Sequence, residues 1–352
     1  ARGADKSWRS LPLPEKVVHP EGIFDFRLQQ IDHEECLDTA KNMLSGCRTV
    51  KEAEPVAGSV ACVFGTHFVI NSLGMELLET STHMHASLET IAKGADVATG
   101  SDFYMSRCYQ PSLEYVGRAA AEQARSSLGG VKAESGTFDV LLKPLAVAEL
   151  LDYTLLPALA ADNVQKGRSS LRGRVGEKIS AESLVIADDG LLSGGMDSSA
   201  FDGEGVPSQR TVLIDQGILR GYLYDSYTAG KEGLASTGNA VRSGYSGLPG
   251  VGIRNLIVGS PHPQDLLAET KGLLVGGLIG AHTANPISGD FSVEAKNAFL
   301  IGPGEEARPI RSLMLAGNFF ELLKDVEIGR DVRAIGSIVT PTIKFRMKVV
   351  GS

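Results

Sequence analysis

The side chains most able to do chemistry fall in five short stretches. His83 and His85, in "STHMHASLE", lie two apart. On a strand that spacing puts both imidazoles on one face, where they could meet one metal ion. A catalytic zinc needs a third ligand, and none stands nearby in sequence, so two structural or exposed histidines is the plainer reading. His33-Glu34 in "DHEEC" begins like a zincin helix, but the position four beyond His33 is Leu37. Acids there suit the positive end of a helix. The stretch 188–205, "DDGLLSGGMDSSAFDGEG", has the composition of a calcium loop without EF-hand donor spacing, and reads as Asx turns. Lys166, Arg168, Arg172, Arg174 and Lys178 crowd one Gly/Ser-rich loop that could grip a carboxylate or phosphate, or simply be solvated. Finally, "ELLDYTLLPAL" (149–159) reads as an apolar helix broken by its proline. It is placed as a catalytic platform would be, between a strand-like run and the basic loop. Yet it offers Asp152, Tyr153 and Thr154, with no histidine or cysteine. "PGVG" at 249–252 lacks the dinucleotide fingerprint, and no nucleophile elbow or P-loop occurs.

These groups need a scaffold, and the hydrophobic pattern predicts an α+β one. Residues 1–30 are Pro-rich and read as an arm, or as the remnant of a further N-terminal domain, since the chain starts "ARGADKSWRS" without methionine. Asp32 with Glu35 forms a capping-box pattern ahead of a helix carrying Cys36, Leu37, Ala40, Met43, Leu44 and Cys47. A β-rich stretch follows, with "NSLG" (71–74) as a turn. A second helix is expected over Ser112–Leu128, stopped by Gly129-Gly130. Together these outline an α+β domain over 31–132, a helix/antiparallel-sheet unit. The remainder, 133–352, is Gly-rich and β-rich with short helices. It includes a hairpin at Gln216-Gly217, amphipathic helices in "PQDLLAETKGLLV" and "NFFELLKDV", and a last strand with Ile343, Phe345, Met347 and Val349 on one side.

Composition narrows the function classes. The 352 residues carry a net charge of −8, which opposes a nucleic-acid binder because phosphate affinity comes from clustered Lys and Arg. No apolar run is long enough to span a bilayer and no signal peptide is visible, so a cytoplasmic protein without membrane partners is expected. Cys36, Cys47, Cys62 and Cys108 form no CxxC pair and fit reduced, mostly buried thiols.

Long ordered motifs in the second half carry a resemblance. "AADNVQKGRSSLRGRVGEKI", the run from "DDGLLSGGMDSS" to "GYLYDSYTA", "STGNAVR", "GLLVGGLIGAHTANPISGDFSVEAKNAFLI" and "LAGNFFELLKD" resemble the TldD/PmbA family, whose members were named modulators of DNA gyrase. The resemblance runs from about Gly22 to the C-terminus. One branch of that family, TldD, resembles a zinc peptidase, with a His-Glu-x-x-x-His helix and a cysteine from a late loop. Gapless alignment puts Asp152 at the first histidine, Tyr153 at the glutamate and Pro157 at the second histidine. The late loop is shortened to "AIGSIV" (334–339), and no cysteine follows Cys108. That is the pattern of the other branch, TldE, also called PmbA.

The resemblance therefore implies a metal-free subunit that binds no cofactor of its own. Zinc and base would reside on a TldD-like partner, and the pair would cleave unfolded or extended peptides. The same empty platform also suits a stand-alone homodimeric peptide binder or regulator, and an independent hydrolase built on His83 and His85 is a third possibility. Candidate substrate contacts, from polarity and family motif, are Arg168, Arg172, Arg174, Asn239, Asn285 and Asp290.

Overall fold

The computed structural model describes residues 11–94 and 96–351. The first ten residues of the expected arm lie outside them. The rest of the arm is not wholly irregular: Phe26–Gln30 forms a short helix, α1, capped by the Asp25 carboxylate, and Ile23 and Leu28 are buried. Helix α2 (His33–Arg48) begins with the expected capping box, Asp32 and Glu35 exchanging side-chain and backbone bonds. Two 18-residue strands follow, β1 (Ala53–Ile70) and β2 (Glu76–Lys93), then β3 (Val97–Ser106). They form an antiparallel sheet in the order β1-β2-β3, with residues 71–75 as the β1–β2 turn. Helix α3 (Glu114–Ser126) buries Val116, Ala120 and Ala124 against the sheet, within the predicted span.

The two helices cross at backbone contact. A Cβ at Gly117 would stand 1.8 Å from the Met43 carbonyl oxygen, and one at Gly46 would stand 1.9 Å from that of Glu114. One face of the sheet is thus sealed. β1, by contrast, has no strand on its outer side among the described residues. It exposes Val56, Val63, Phe64, Phe68 and Ile70.

The second unit is built around a closed barrel. Strand β4 (Gly136–Leu142) pairs with Gly272–Ile279 on one side and Ile343–Gly351 on the other. Ile343–Gly351 pairs with Leu313–Asn318, which pairs with Asp290–Ile301, which returns to Gly272–Ile279. Closure leaves these five strands with no free edge. Ile343, Phe345, Met347 and Val349 point into the core, as their alternation predicts. A second sheet contains β5 (Val185–Asp189) and β6 (Arg210–Asp215), with the expected turn at Gln216-Gly217, both at positive φ, leading into Ile218–Leu219. One expectation is corrected here. "PQDLLAETKGLLV" is helical only over Leu266–Glu269, and its "GLLV" belongs to the barrel strand Gly272–Ile279. An apolar run buried on both faces suits a strand as well as a helix, and periodicity alone does not separate them.

Candidate functional site

The platform follows directly from β4. Helix α4 (Pro144–Tyr153) opens with proline at a position where its missing N–H costs nothing, and buries Ala146, Val147, Leu150 and Leu151. It stops at Thr154, which is fully buried and non-helical (φ −122°, ψ −65°), with its hydroxyl donating to the Leu150 carbonyl at 2.6 Å. The sequence placed the break at Pro157, but it falls three residues earlier. Proline cannot donate to the carbonyl four residues back, at Tyr153, and its ring collides with that carbonyl. The chain leaves the helix before the collision, and Pro157 then sits harmlessly in the first turn of α5 (Leu155–Leu159).

Two polar side chains face outward at this break. Asp152 is exposed, and among the described residues it has no hydrogen-bond or ion-pair partner; partial burial of the carboxyl raises its pKa. Tyr153 is 40% exposed, its ring edge-on to the His282 imidazole with centroids 6.3 Å apart. One turn earlier Glu149 accepts the Leu278 N–H at 2.6 Å. Burial pushes the Glu149 pKa up, opposed by that N–H and by the charge of Lys296. Sequence reading singled out neither Glu149 nor His282. The i, i+3 spacing of Glu149 and Asp152 places them on one helix face and could have revealed the first. His282 arrives through the parallel pairing of Gly272–Ile279 with β4, which no local pattern encodes.

The other candidates separate clearly. Arg168 and Arg172 are exposed, and Arg172 lines an open cavity of about 520 Å³ with Gln165, Val175, Tyr222, Lys231 and Glu232. Arg174 is held by Glu177 at 2.8 Å. Asn239 has no accessible surface. Its amide donates to Asp188 at 2.7 Å and to the Gly252 carbonyl at 2.9 Å, so it crosslinks the core and presents nothing to a ligand. Asn285 accepts the N–H groups of Ile287 and Ser288, while Asp290 accepts from Ser288 and Asn318, which also lowers its pKa. Both are exposed, Asn285 just before a turn and Asp290 at the first position of the barrel strand Asp290–Ile301.

His83 and His85 do share a face of β2, but the Arg107 guanidinium lies 2.8 Å from His83 Nε2. Burial and that cation lower the His83 pKa. A fixed cation so close disfavours a metal ion there. Arg107 ties the sheet to the Asp/Gly-rich loop by donating to the carbonyls of Gly195, Met196 and Ser198. In that loop Asp202 accepts the N–H groups of Glu204, Val206 and Ala240, and Asp189 accepts that of Leu191: the Asx-turn reading holds. Of the cysteines only Cys47 is buried. Cys36 and Cys62 are half-buried and Cys108 is exposed, which corrects the expectation of mostly buried thiols.

Residues 26–128 match the PmbA/TldA metallopeptidase central domain, and residues 135–351 match the PmbA/TldA metallopeptidase C-terminal domain. The chain belongs to the PmbA/TldD family. A Methanocaldococcus jannaschii protein with no activity in its name is 35% identical over 348 residues, 96% of this chain and 79% of its own length. A metalloprotease of Methanothermobacter thermautotrophicus is 34% identical over 63% of this chain. The chain spans only 49% of that relative. The crystal structure of TldE from Thermococcus kodakarensis superposes with a TM-score of 0.91 at 30% identity, covering 99% of this chain and 80% of that one.

A zinc ion of the kind PmbA/TldD metallopeptidases imply can be tested against the donors present. Three protein ligands plus an open water position are required. The positions that the resemblance aligns with the zinc motif hold one carboxylate, one phenol and one proline, whose ring carries no donor atom. Among the described residues no group of three His, Cys, Asp or Glu side chains converges closely enough to hold a metal. The residues do not fit the ion.

Proposed function

We propose that this PmbA/TldD-family chain is the metal-free, TldE/PmbA-type half of a cytoplasmic two-subunit peptidase, with zinc and general base on a TldD-like partner. The carrying observation is the platform itself. Strand, proline-started helix and break are packed, and the family resemblance aligns Asp152, Tyr153 and Pro157 with the ligands and base of the other branch. Such a subunit contributes wall and docking surface and leaves bond cleavage to its partner. The substrate class that suits it is an unfolded, extended peptide, which binds through its own main chain. Arg168 and Arg172 are the exposed cations placed to meet a peptide carboxylate. The apolar outer edge of β1 is the surface we assign to the partner, because a long bare edge strand is normally covered.

The test is reconstitution. Alone, the chain should not hydrolyse casein-derived peptides. Adding a TldD-type subunit from the same organism should produce hydrolysis that a chelator stops. A chain that stays homodimeric and leaves the TldD-type subunit's rate unchanged would instead be the stand-alone peptide binder.

A further inference from the structure

Two thiols from distant parts of the sequence meet on the central unit. Cys36 lies near the start of α2 and Cys62 midway along β1, 26 residues apart, with their sulfurs 3.7 Å apart and the Cys36 thiol donating to Cys62. Both are half-buried rather than sealed in, unlike Cys47. Cys62 also packs beside the cluster of Leu28, Met43, Met84 and Val116, so the strand segment that carries it is held against the helix layer. Neither sulfur has another hydrogen-bond partner among the described residues. A sulfur–sulfur bond is about 2 Å long, so closure takes a side-chain rotation and a small approach of α2 toward β1.

We propose that Cys36 and Cys62 are a reversible oxidation site, closed to an intrachain disulfide by hydroperoxides. The chemistry balances with hydrogen peroxide as oxidant. One thiol attacks a peroxide oxygen, becoming a sulfenic acid and releasing water. The second thiol attacks that sulfur, forming the S–S bond and expelling a second water. Two S–H bonds are lost, one S–S bond is formed, and one peroxide is reduced to two waters. Burial and the contact with Cys36 push the Cys62 thiol up to about 12. That sulfur is therefore a thiol at neutral pH. The disulfide ties α2 to the middle of the edge strand and closes a loop that the unfolded chain would otherwise leave open. Nothing in this inference depends on the proposed function.

The experiment treats the whole chain with hydrogen peroxide, caps remaining thiols with N-ethylmaleimide, and maps peptides by mass. Before capping, the expected product is about 2 Da lighter than the reduced chain, for two hydrogens lost. Its Cys36 and Cys62 peptides are joined, and dithiothreitol separates them. Its melting temperature should rise by roughly 5 °C. Cys36→Ser and Cys62→Ser should each abolish the linked pair and leave the other thiol open to capping, whereas Cys108→Ser should change nothing. Recovery of both thiols capped, or both as sulfinic acids, with no joined peptide, would overturn the inference.

Discussion

The loop at 188–205 and the platform at 149–159 both carry carboxylates whose pKa is raised by burial, yet they do opposite things. In the loop, Asp188 and Asp202 have no accessible surface, and their oxygens are taken up by N–H groups. On the platform, Asp152 is exposed and has no partner among the described residues. The loop looks like chemistry in sequence and is architecture in the fold. The platform looks inert in sequence and holds the unspent polar groups. What distinguishes a site from a scaffold is whether its hydrogen-bonding capacity remains available, and composition does not report that.

The sharpest way to break this contrast is deletion. Asp202→Ala strands the N–H groups of Glu204, Val206 and Ala240 in a buried loop, and should cost on the order of 3–5 kcal/mol in urea unfolding. Asp152→Ala removes no bond and should stay within about 0.5 kcal/mol. Equal losses would erase the distinction.

The next largest effect is pH. The carboxyls of Asp188 and Asp202 are each pushed up to about 6 from an ordinary 3.8, chiefly by burial. Between those values the folded chain keeps protons that the unfolded chain has released. Stability from these groups is therefore greatest below about pH 4 and falls as pH rises through about 6, by on the order of 2–3 kcal/mol per group at most. Thermal melts from pH 4 to 7.5 should show that slope, and Asp202→Asn should flatten it even though it lowers stability overall. A slope unchanged in the variant would mean that Asp202 is already ionised in the fold across the whole range.

A smaller effect divides the two asparagines offered as substrate contacts. Asn239→Ala should cost about 2 kcal/mol, since it takes the donor from Asp188 Oδ2 and leaves that buried carboxyl only the Arg254 N–H, whereas Asn285→Ala should cost about 0.5–1 kcal/mol as a lost turn contact. Chemical denaturation of both variants checks the order. Smallest of all, Tyr153→Phe should leave stability within about 0.5 kcal/mol, because the hydroxyl makes no bond that holds the ring against His282.

Much of the scaffold was legible where the signal is local. The Asp32/Glu35 cap, α3, the Gln216-Gly217 turn and the alternation of the last strand all depend on neighbours within a few residues. The barrel was not legible, because its closure joins β4 to strands more than a hundred residues away. The same non-local pairing carries His282 to Tyr153, so that half of the platform could not be read in advance. Asp152, Tyr153 and Pro157 were singled out because the resemblance aligns them to a motif, and Glu149 was passed over because only its helical phase marks it. Asn239 and Asp290 show the opposite error: polar residues in turn-rich segments whose side chains bond to distant parts of the chain, Asn239 to Asp188 and Gly252, and Asp290 to Asn318 as well as Ser288.

The most direct measurement is zinc binding by the purified chain, by elemental analysis and by calorimetric titration, beside the same measurement on the TldD-type subunit proposed as its partner. The account predicts less than a tenth of a zinc per chain here, about one per chain on the partner, and the same values after the two are mixed. Stoichiometric zinc on this chain alone, lost when Asp152 is changed to alanine, would contradict it.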